Sequence, residues 1–225
     1  MPAAIPKRSK WLLKIYSLLW LLAIPVLFLN KRLRQGFSQR LLLRAKAHRY
    51  QIWLQAASAG EAALAKEIIN NFQTSDTLHI LATTWTKQGL DILSTCKPQK
   101  NVTLQPAYCP FDLPLLMSRA LKLFNPQVVV LLETELWPGL LYSCKKSATP
   151  VLLLNARLTR KSLAGYISFS GFWQSLAPEQ IYAVSEQEVK RYELVFNQNK
   201  ISSMPNIKFD RCQLEDTPIA YVRNE

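Results

Sequence analysis

The chain has 225 residues, 49% of them hydrophobic and 19% charged, enough for one large domain or a domain with appendages. Its net charge of +13 is uneven: eleven of the 28 Lys and Arg residues precede Tyr50, and no acidic residue precedes Glu61. The rest is near neutral, and the basic excess flanks an apolar run instead of interleaving with aromatics on a domain, which excludes nucleic-acid binding.

In chain order, Ile15 to Leu29 is uncharged over fifteen residues, and nineteen are available if Trp11 to Lys14 are counted. A full membrane span takes about 20 apolar residues, and Pro25 would kink this one. Lys7, Arg8 and Lys10 stand before it; Lys31, Arg32, Arg34, Arg40 and Arg44 stand after it. No small-x-small cleavage site follows, so an uncleaved anchor is expected, spanning the bilayer or lying in its interface among membrane lipids. The heavier cationic flank follows the segment, which favours a cytoplasmic main domain. Leu33, Phe37 and Leu41 recur at helical spacing, so the basic connector 31–49 is predicted helical.

From Gln51 onward, short apolar runs alternate with amphipathic stretches. Strands are predicted at 51–55, 78–82, 102–105, 127–132, 151–154 and 181–184, and helices at 61–72, 87–95 and 186–196. A further helix should start after Asp112, read as its cap, with Pro114 in its first turn and Asn125-Pro126 at its end. The runs at 127–132 and 151–154 are apolar throughout, the mark of parallel strands covered on both faces. The fold expected is α/β: a single Rossmann-like, doubly wound, mostly parallel sheet behind an N-terminal membrane helix. Cys96, Cys109, Cys144 and Cys212 are widely spaced and the histidines are His48 and His79, so a reducing compartment and no metal site are expected.

The polar residues at strand ends carry the functional argument. Ser58, Gly60 and Glu61 follow the first strand, Thr83, Thr84 and Thr86 the second, and Asp112 the third. Glu133, Thr134 and Glu135 follow the fourth, Asn155 and Arg157 the fifth, and Ser185 the sixth. All fall on the carboxyl edge of the sheet, where ligands bind in such folds. Ser58-Ala-Gly-Glu61 and Ser185-Glu-Gln-Glu188 are also capping boxes, so helix capping competes with function at both. Capping does not account for two carboxylates in 133–138 or for the arginine ending a buried strand at 157. That mix suggests an anionic ligand held by Arg157, with a structural ion pair as its equal rival, and a carboxylate serving as base. Lys161 and Ser162 are candidates to extend that site. Trp53, Trp85, Trp137 and Trp173 are read chiefly as core, Trp137 being placed to meet a sugar as well.

Six segments occur in one order: SAGE at 58–61, TTWTKQG at 83–89, YCPFDLP at 108–114, ETELWP at 133–138, NARLTRKS at 155–162 and NIKFD at 206–210. Together they resemble the N-terminal, acceptor-side domain of bacterial 3-deoxy-D-manno-octulosonic acid (Kdo) transferases of lipopolysaccharide biosynthesis. The resemblance implies an inverting glycosyltransferase built of two Rossmann-like domains. Such an enzyme transfers Kdo from the donor CMP-Kdo to a lipid A precursor at the cytoplasmic face of the inner membrane, with no cofactor and no metal. It assigns proton acceptance to Glu61, and transition-state stabilisation to Glu133 and Lys208. Ser58, Gly60, Thr84, Thr86, Asn155 and Arg157 are carried as substrate-binding candidates.

Met204-Pro205-Asn206 stands where the family has glycine followed by asparagine or serine, so a different presentation of Lys208 is expected. The domains expected are an anchor and connector over 1–49, the Rossmann-like domain over 50–210, and a tail or truncated interdomain linker over 211–225. The donor-nucleotide domain is expected to be missing or supplied in trans as a separate C-terminal partner. The alternative is a non-enzymatic, membrane-attached module that binds the acceptor, or a degenerate relative. A third reading leaves the carboxylates as caps and the basic segment as a solvated arm.

Overall fold

The computed structural model describes residues 5–196 and 201–209. Helix α1 (Lys7–Leu29) is followed by the short helices α2 (Lys31–Arg34) and α3 (Phe37–Arg40). Strands β1 (Ile52–Ala56), β2 (Leu78–Thr84) and β3 (Val102–Tyr108) alternate with α4 (Ala59–Asn71) and α5 (Lys87–Ser94). Then come α6 (Pro114–Phe124), β4 (Val128–Leu132), α7 (Pro138–Ser147) and β5 (Val151–Ala156). Helices α8 (Arg160–Ser168) and α9 (Ser170–Ser175), β6 (Gln180–Ala183), α10 (Glu186–Phe196) and β7 (Ile201–Ser203) complete the set, with a 3-10 turn at Ile207–Phe209.

Among the described residues the seven strands form one sheet in the order β3-β2-β1-β4-β5-β6-β7, and every pairing is parallel. The order reverses between β1 and β4, so the ligand crevice of this topology opens beside the ends of those two strands. Alternation of side chains sends Trp53 to one face and Leu54 to the other. Leu54, Leu64, Ile69 and Leu93 make the core under α4 and α5. Trp53, Met117, Leu140, Leu153 and Tyr192 belong to the larger core on the opposite face. The predicted α/β architecture is the one observed.

Several strands outrun their apolar runs. Thr83 and Thr84 continue β2 by pairing with Ala107 and Tyr108 of β3, and Asn155 and Ala156 extend β5. The hydrophobic signal stops where polar residues of the carboxyl edge begin, while the hydrogen-bond ladder carries on. Pro106 sits inside β3, which an edge strand tolerates. The sequence pattern did not show α7, α8, α9 or β7.

The connector is not one continuous helix. Gly36 takes a left-handed φ of 70°, and a Cβ there would lie 1.9 Å from the Tyr108 ring, so the chain breaks between α2 and α3. Beyond α3, the amides of His48 and Tyr50 bond to the carbonyls of Leu123 and Phe124, which ties the segment to the end of α6. Asp112 also departs from expectation. It does not cap α6, whose N-cap is Leu113; both its oxygens accept amides at the start of α7, from Gly139 and Leu140, each at 2.7 Å.

Helix α1 is long and apolar enough to cross a membrane. It lies against the domain along one stripe: Ser9, Leu13, Tyr16 and Trp20. Ser175 donates to Ser9 at 3.1 Å, Tyr16 donates to Asp112 at 2.7 Å, and Trp20 packs on Trp85 and Phe111 at 6.2 and 5.7 Å between ring centres. Leu18, Leu22, Val26 and Leu29 stay bare on the remaining surface.

Candidate active site

At the end of β1 the chain turns into α4 through Ser58, whose hydroxyl accepts the Glu61 amide at 3.3 Å. Glu61 does not complete the box on the cap residue in the usual way. Its Oε2 reaches one residue further back and accepts the Ala57 amide at 2.6 Å, with the Ser58 backbone contributing as well. The side chain is buried, 7% exposed, and has no ion pair among the described residues. Burial first, and the charge of Glu133 second, raise its pKa above the ordinary glutamate range, against the lowering effect of those amides. Gly60 is exposed, and a Cβ there would meet only Ser58 Oγ at 3.7 Å, so the turn before Glu61 is uncrowded.

Across the switch point, β4 ends in Glu133, a non-glycine residue with φ 54°. On the next strand Asn155 has φ 53°. Left-handed backbone at the ends of two adjacent strands carries a conformational cost of about 1–3 kcal/mol each, and such strain collects at functional sites. Asn155 is fully buried and its side-chain oxygen accepts the backbone N–H of Ile207, 3.1 Å away, while its backbone N–H donates to the sulfur of Met204 at 3.3 Å. Asn155 thereby holds the segment that delivers Lys208. The Lys208 ammonium stands 2.8 Å from Glu133 Oε1, and this ion pair is the polar contact found at that buried oxygen. The pair forms with Pro205 in place.

Glu135, in the same loop as Glu133, accepts a hydrogen bond from the Trp137 indole. Burial and the neighbouring charge of Glu61 push it up to about 7, with a smaller push from Glu133 and an opposing pull from Trp137. Glu61, Glu133 and Glu135 therefore share one electrostatic neighbourhood, with Lys208 as the ion-paired cation in it. Trp137 stacks on Trp85 at 5.1 Å, and Trp85 stacks on Trp20 of α1. Arg40 is fully buried over Trp85, Tyr108 and Phe111 and donates to the Trp85 carbonyl at 2.8 Å. Nothing in the sequence pattern marked Arg40, Tyr16 or Trp20 as parts of this edge, because anchor and basic flank looked like a unit apart.

The other candidates divide. Thr86 caps α5 by accepting the Gly89 amide at 3.0 Å, and Thr84 is buried against Gly89, where a Cβ would stand 2.3 Å from its hydroxyl. Arg157 lies at the same edge, its Nε buried without a partner and its carbonyl accepting from Tyr192 at 3.1 Å. No ion pair forms at Arg157 among the described residues. Ser162 bonds to the α8 cap residue Thr159, and Lys161 is exposed. Ser185 accepts the Glu188 amide, as its box predicts. Trp53 is core, donating to Thr83 at 2.8 Å, and Trp173 packs on Tyr166 and Phe172. Asp210 and Cys212 lie outside the described residues.

The arrangement offers a buried base next to an exposed glycine, and a cation clamped by a carboxylate across the crevice. A search of solved structures supports the fold alone. UDP-GlcNAc 2-epimerase from Neisseria meningitidis bound to UDP-GlcNAc superposes with a TM-score of 0.51 at 14% identity, over 74% of this chain and 49% of that one. Sequence relatives are more specific. The 3-deoxy-D-manno-octulosonic acid transferase of Rickettsia bellii is 28% identical over 211 residues, covering 88% of this chain and 49% of the relative. That of Haemophilus influenzae is 28% identical over 163 residues, covering 71% and 38%. The chain thus spans about half the length, or less, of the curated relatives it matches. The sequence profile described as 3-Deoxy-D-manno-octulosonic-acid transferase (kdotransferase) matches residues 31–211, within which Glu61, Glu133 and Lys208 all fall, and the chain belongs to that family as a representative of its N-terminal domain.

Proposed function

We propose that this chain supplies the acceptor-activating half of a Kdo transferase, which moves Kdo from CMP-Kdo to a lipid A precursor in lipopolysaccharide biosynthesis. The observation that carries the reading is the placement of Glu61 and Glu133 at the ends of β1 and β4, on either side of the switch point, with Lys208 paired to Glu133. Glu61 takes the proton from the acceptor hydroxyl as its oxygen attacks the anomeric carbon of the donor sugar. A base whose pKa is raised toward the working pH is matched to that task, and activity should fall as acid protonates it. Negative charge grows on the departing CMP phosphate, and Lys208 is the preorganised cation for it. Glu133 contributes by fixing the ammonium, which favours the positioning role over direct contact with a cationic sugar. Gly60, Ser58 and Arg157 line the edge where acceptor sugar and phosphate would lie; Thr84, Thr86 and Asn155 act behind it by holding backbone in place. The chemistry needs no cofactor and no metal in this reading, and the donor nucleotide falls to a second domain.

The membrane part of the reading places the domain on the cytoplasmic face of the inner membrane. Its support is the apolar outer surface of α1 beside a docked inner stripe. The bare residues of α1 suit contact with lipid, in a span or in the interface.

The test is CMP release from CMP-Kdo and a lipid A precursor, using the full chain in detergent, alone and with the C-terminal half of the Rickettsia bellii relative. Turnover with the added half, abolished by Glu61→Gln, is the expected result. Folded protein that turns over under neither condition, yet binds the precursor saturably, would replace the enzyme with a binding module.

A further inference from the structure

On the side of β2 and β3 turned away from α4 and α5, the sheet is covered by the connector and not by a long helix. Register puts His79, Leu81 and Thr83 of β2 beside Thr103, Gln105 and Ala107 of β3 on this face. Between them and the chain from Ser38 to His48 runs a groove of about 700 Å³. Leu81, Ala107, Tyr50 and Phe124 give it an apolar floor. Arg44, Lys46 and His48 stand exposed at its rim, and no acidic residue lines it. His79 also lines it, and its buried Nδ1 has no partner. Such a site is built for a molecule with an anionic head and an apolar body.

We propose that the groove binds one anionic phospholipid, with its phosphodiester at Arg44 and Lys46 and the upper parts of its chains along the apolar floor. Charge complementarity selects the head. The floor selects a body, since inorganic phosphate would leave it unused. Its position relative to α1 selects the source. The Phe28 ring near the end of α1 packs 5.0 Å from Phe37, the residue before Ser38 of the groove, and Leu43, beside Arg44, is 64% exposed. The volume accommodates a headgroup and the first carbons of its chains, so the remainder would stay in the bilayer. Tyr108 lines the groove and lies 4.5 Å beneath the Arg40 guanidinium, which holds the Trp85 carbonyl; an occupied groove thus adjoins the support of the catalytic edge. The proposal rests on the membrane-attached reading of α1 and is independent of the transfer chemistry.

Calorimetric titration of the full chain in neutral detergent with dihexanoyl phosphatidylglycerol, dihexanoyl phosphatidylcholine and inorganic phosphate decides it. Saturable binding of the glycerol lipid, with the choline lipid at least tenfold weaker and phosphate not saturating, is expected. The double substitution Arg44→Gln/Lys46→Gln should weaken the anionic lipid by on the order of tenfold or more, while Lys97→Gln/Lys100→Gln changes nothing. All four side chains are exposed, so melting temperatures should hold. Equal binding of the two lipids, phosphate as tight as phosphatidylglycerol, or an unchanged double variant would each overturn it. Sedimentation with neutral phosphatidylcholine vesicles reads α1 separately: protein that sediments yet shows no anionic preference keeps the anchor and loses the groove.

Discussion

Two helix starts in this molecule are written in the same code. Ser58 and Ser185 each accept the amide of a glutamate three residues on, both at 3.3 Å, and each glutamate then accepts a backbone amide, Glu188 from a distant loop and Glu61 from its own turn. Glu188 accepts Leu158 N–H at 2.7 Å, and Glu61 accepts Ala57 N–H at 2.6 Å. The difference lies in what stands opposite. Glu188 is paired with Arg191, a helical turn away, whereas Glu61 faces Glu133 and Glu135 with no cation of its own among the described residues. Capping and catalysis are therefore not rival explanations of an S-x-x-E motif. The cap fixes where the carboxylate sits, and the charges around it decide whether it is neutralised or left reactive.

Exchanging the two carboxylates for amides is the sharpest way to break this comparison. Glu61→Gln should lower turnover by about 10²–10⁴, the range for a lost general base, with little change in melting temperature. Glu188→Gln should do the reverse, costing about 1–3 kcal/mol of stability as Arg191 loses its partner, with turnover reduced no more than the lost stability explains. CMP release and thermal melts on both variants check it; equal effects on either readout would erase the distinction.

A second pair of variants separates holding Lys208 from merely tolerating strain. Asn155→Ala removes the bond to Ile207 and leaves a β-carbon at φ 53°, at a cost of about 1–3 kcal/mol. Asn155→Gly keeps the backbone at ease, so it should recover part of that stability while turnover stays low. Turnover restored by glycine would show that the side chain does not position Lys208.

The smallest effect expected is in the pH dependence of stability. Glu135 has a folded pKa of about 7, above its unfolded value of about 4.3. A carboxyl raised in this way favours the fold while protonated, and that contribution is lost as pH rises from the unfolded value through about 7. Asp112, raised to about 7 chiefly by burial, acts in the same direction. Glu135→Gln should flatten part of the fall in melting temperature between pH 5 and 8, leaving the shares due to Asp112 and Glu61. An unchanged slope would show that Glu135 does not titrate there.

Most of the fold was legible because the apolar runs at 127–132 and 151–154 fill strands covered on both sides, and because Ser58 and Ser185 cap helices where their spacing said they would. Strand ends were less legible, since Thr84, Tyr108 and Ala156 belong to the ladder but not to the hydrophobic pattern. Asp112 misled because a carboxylate next to Pro114 looks local, while its partners lie 27 and 28 residues away on α7. The triad of Glu61, Glu133 and Lys208 came from resemblance. Spacing alone has no means of showing that Asn155 would tether a segment fifty residues downstream.

The clasp between Tyr16 and Asp112 has a practical consequence. Trimming the chain before residue 31 to gain solubility would remove that hydroxyl, strip Trp20 from Trp85, and leave a buried carboxylate one donor short. A shortened protein prepared that way would report on a damaged edge, and low turnover from it would say little about the intact molecule.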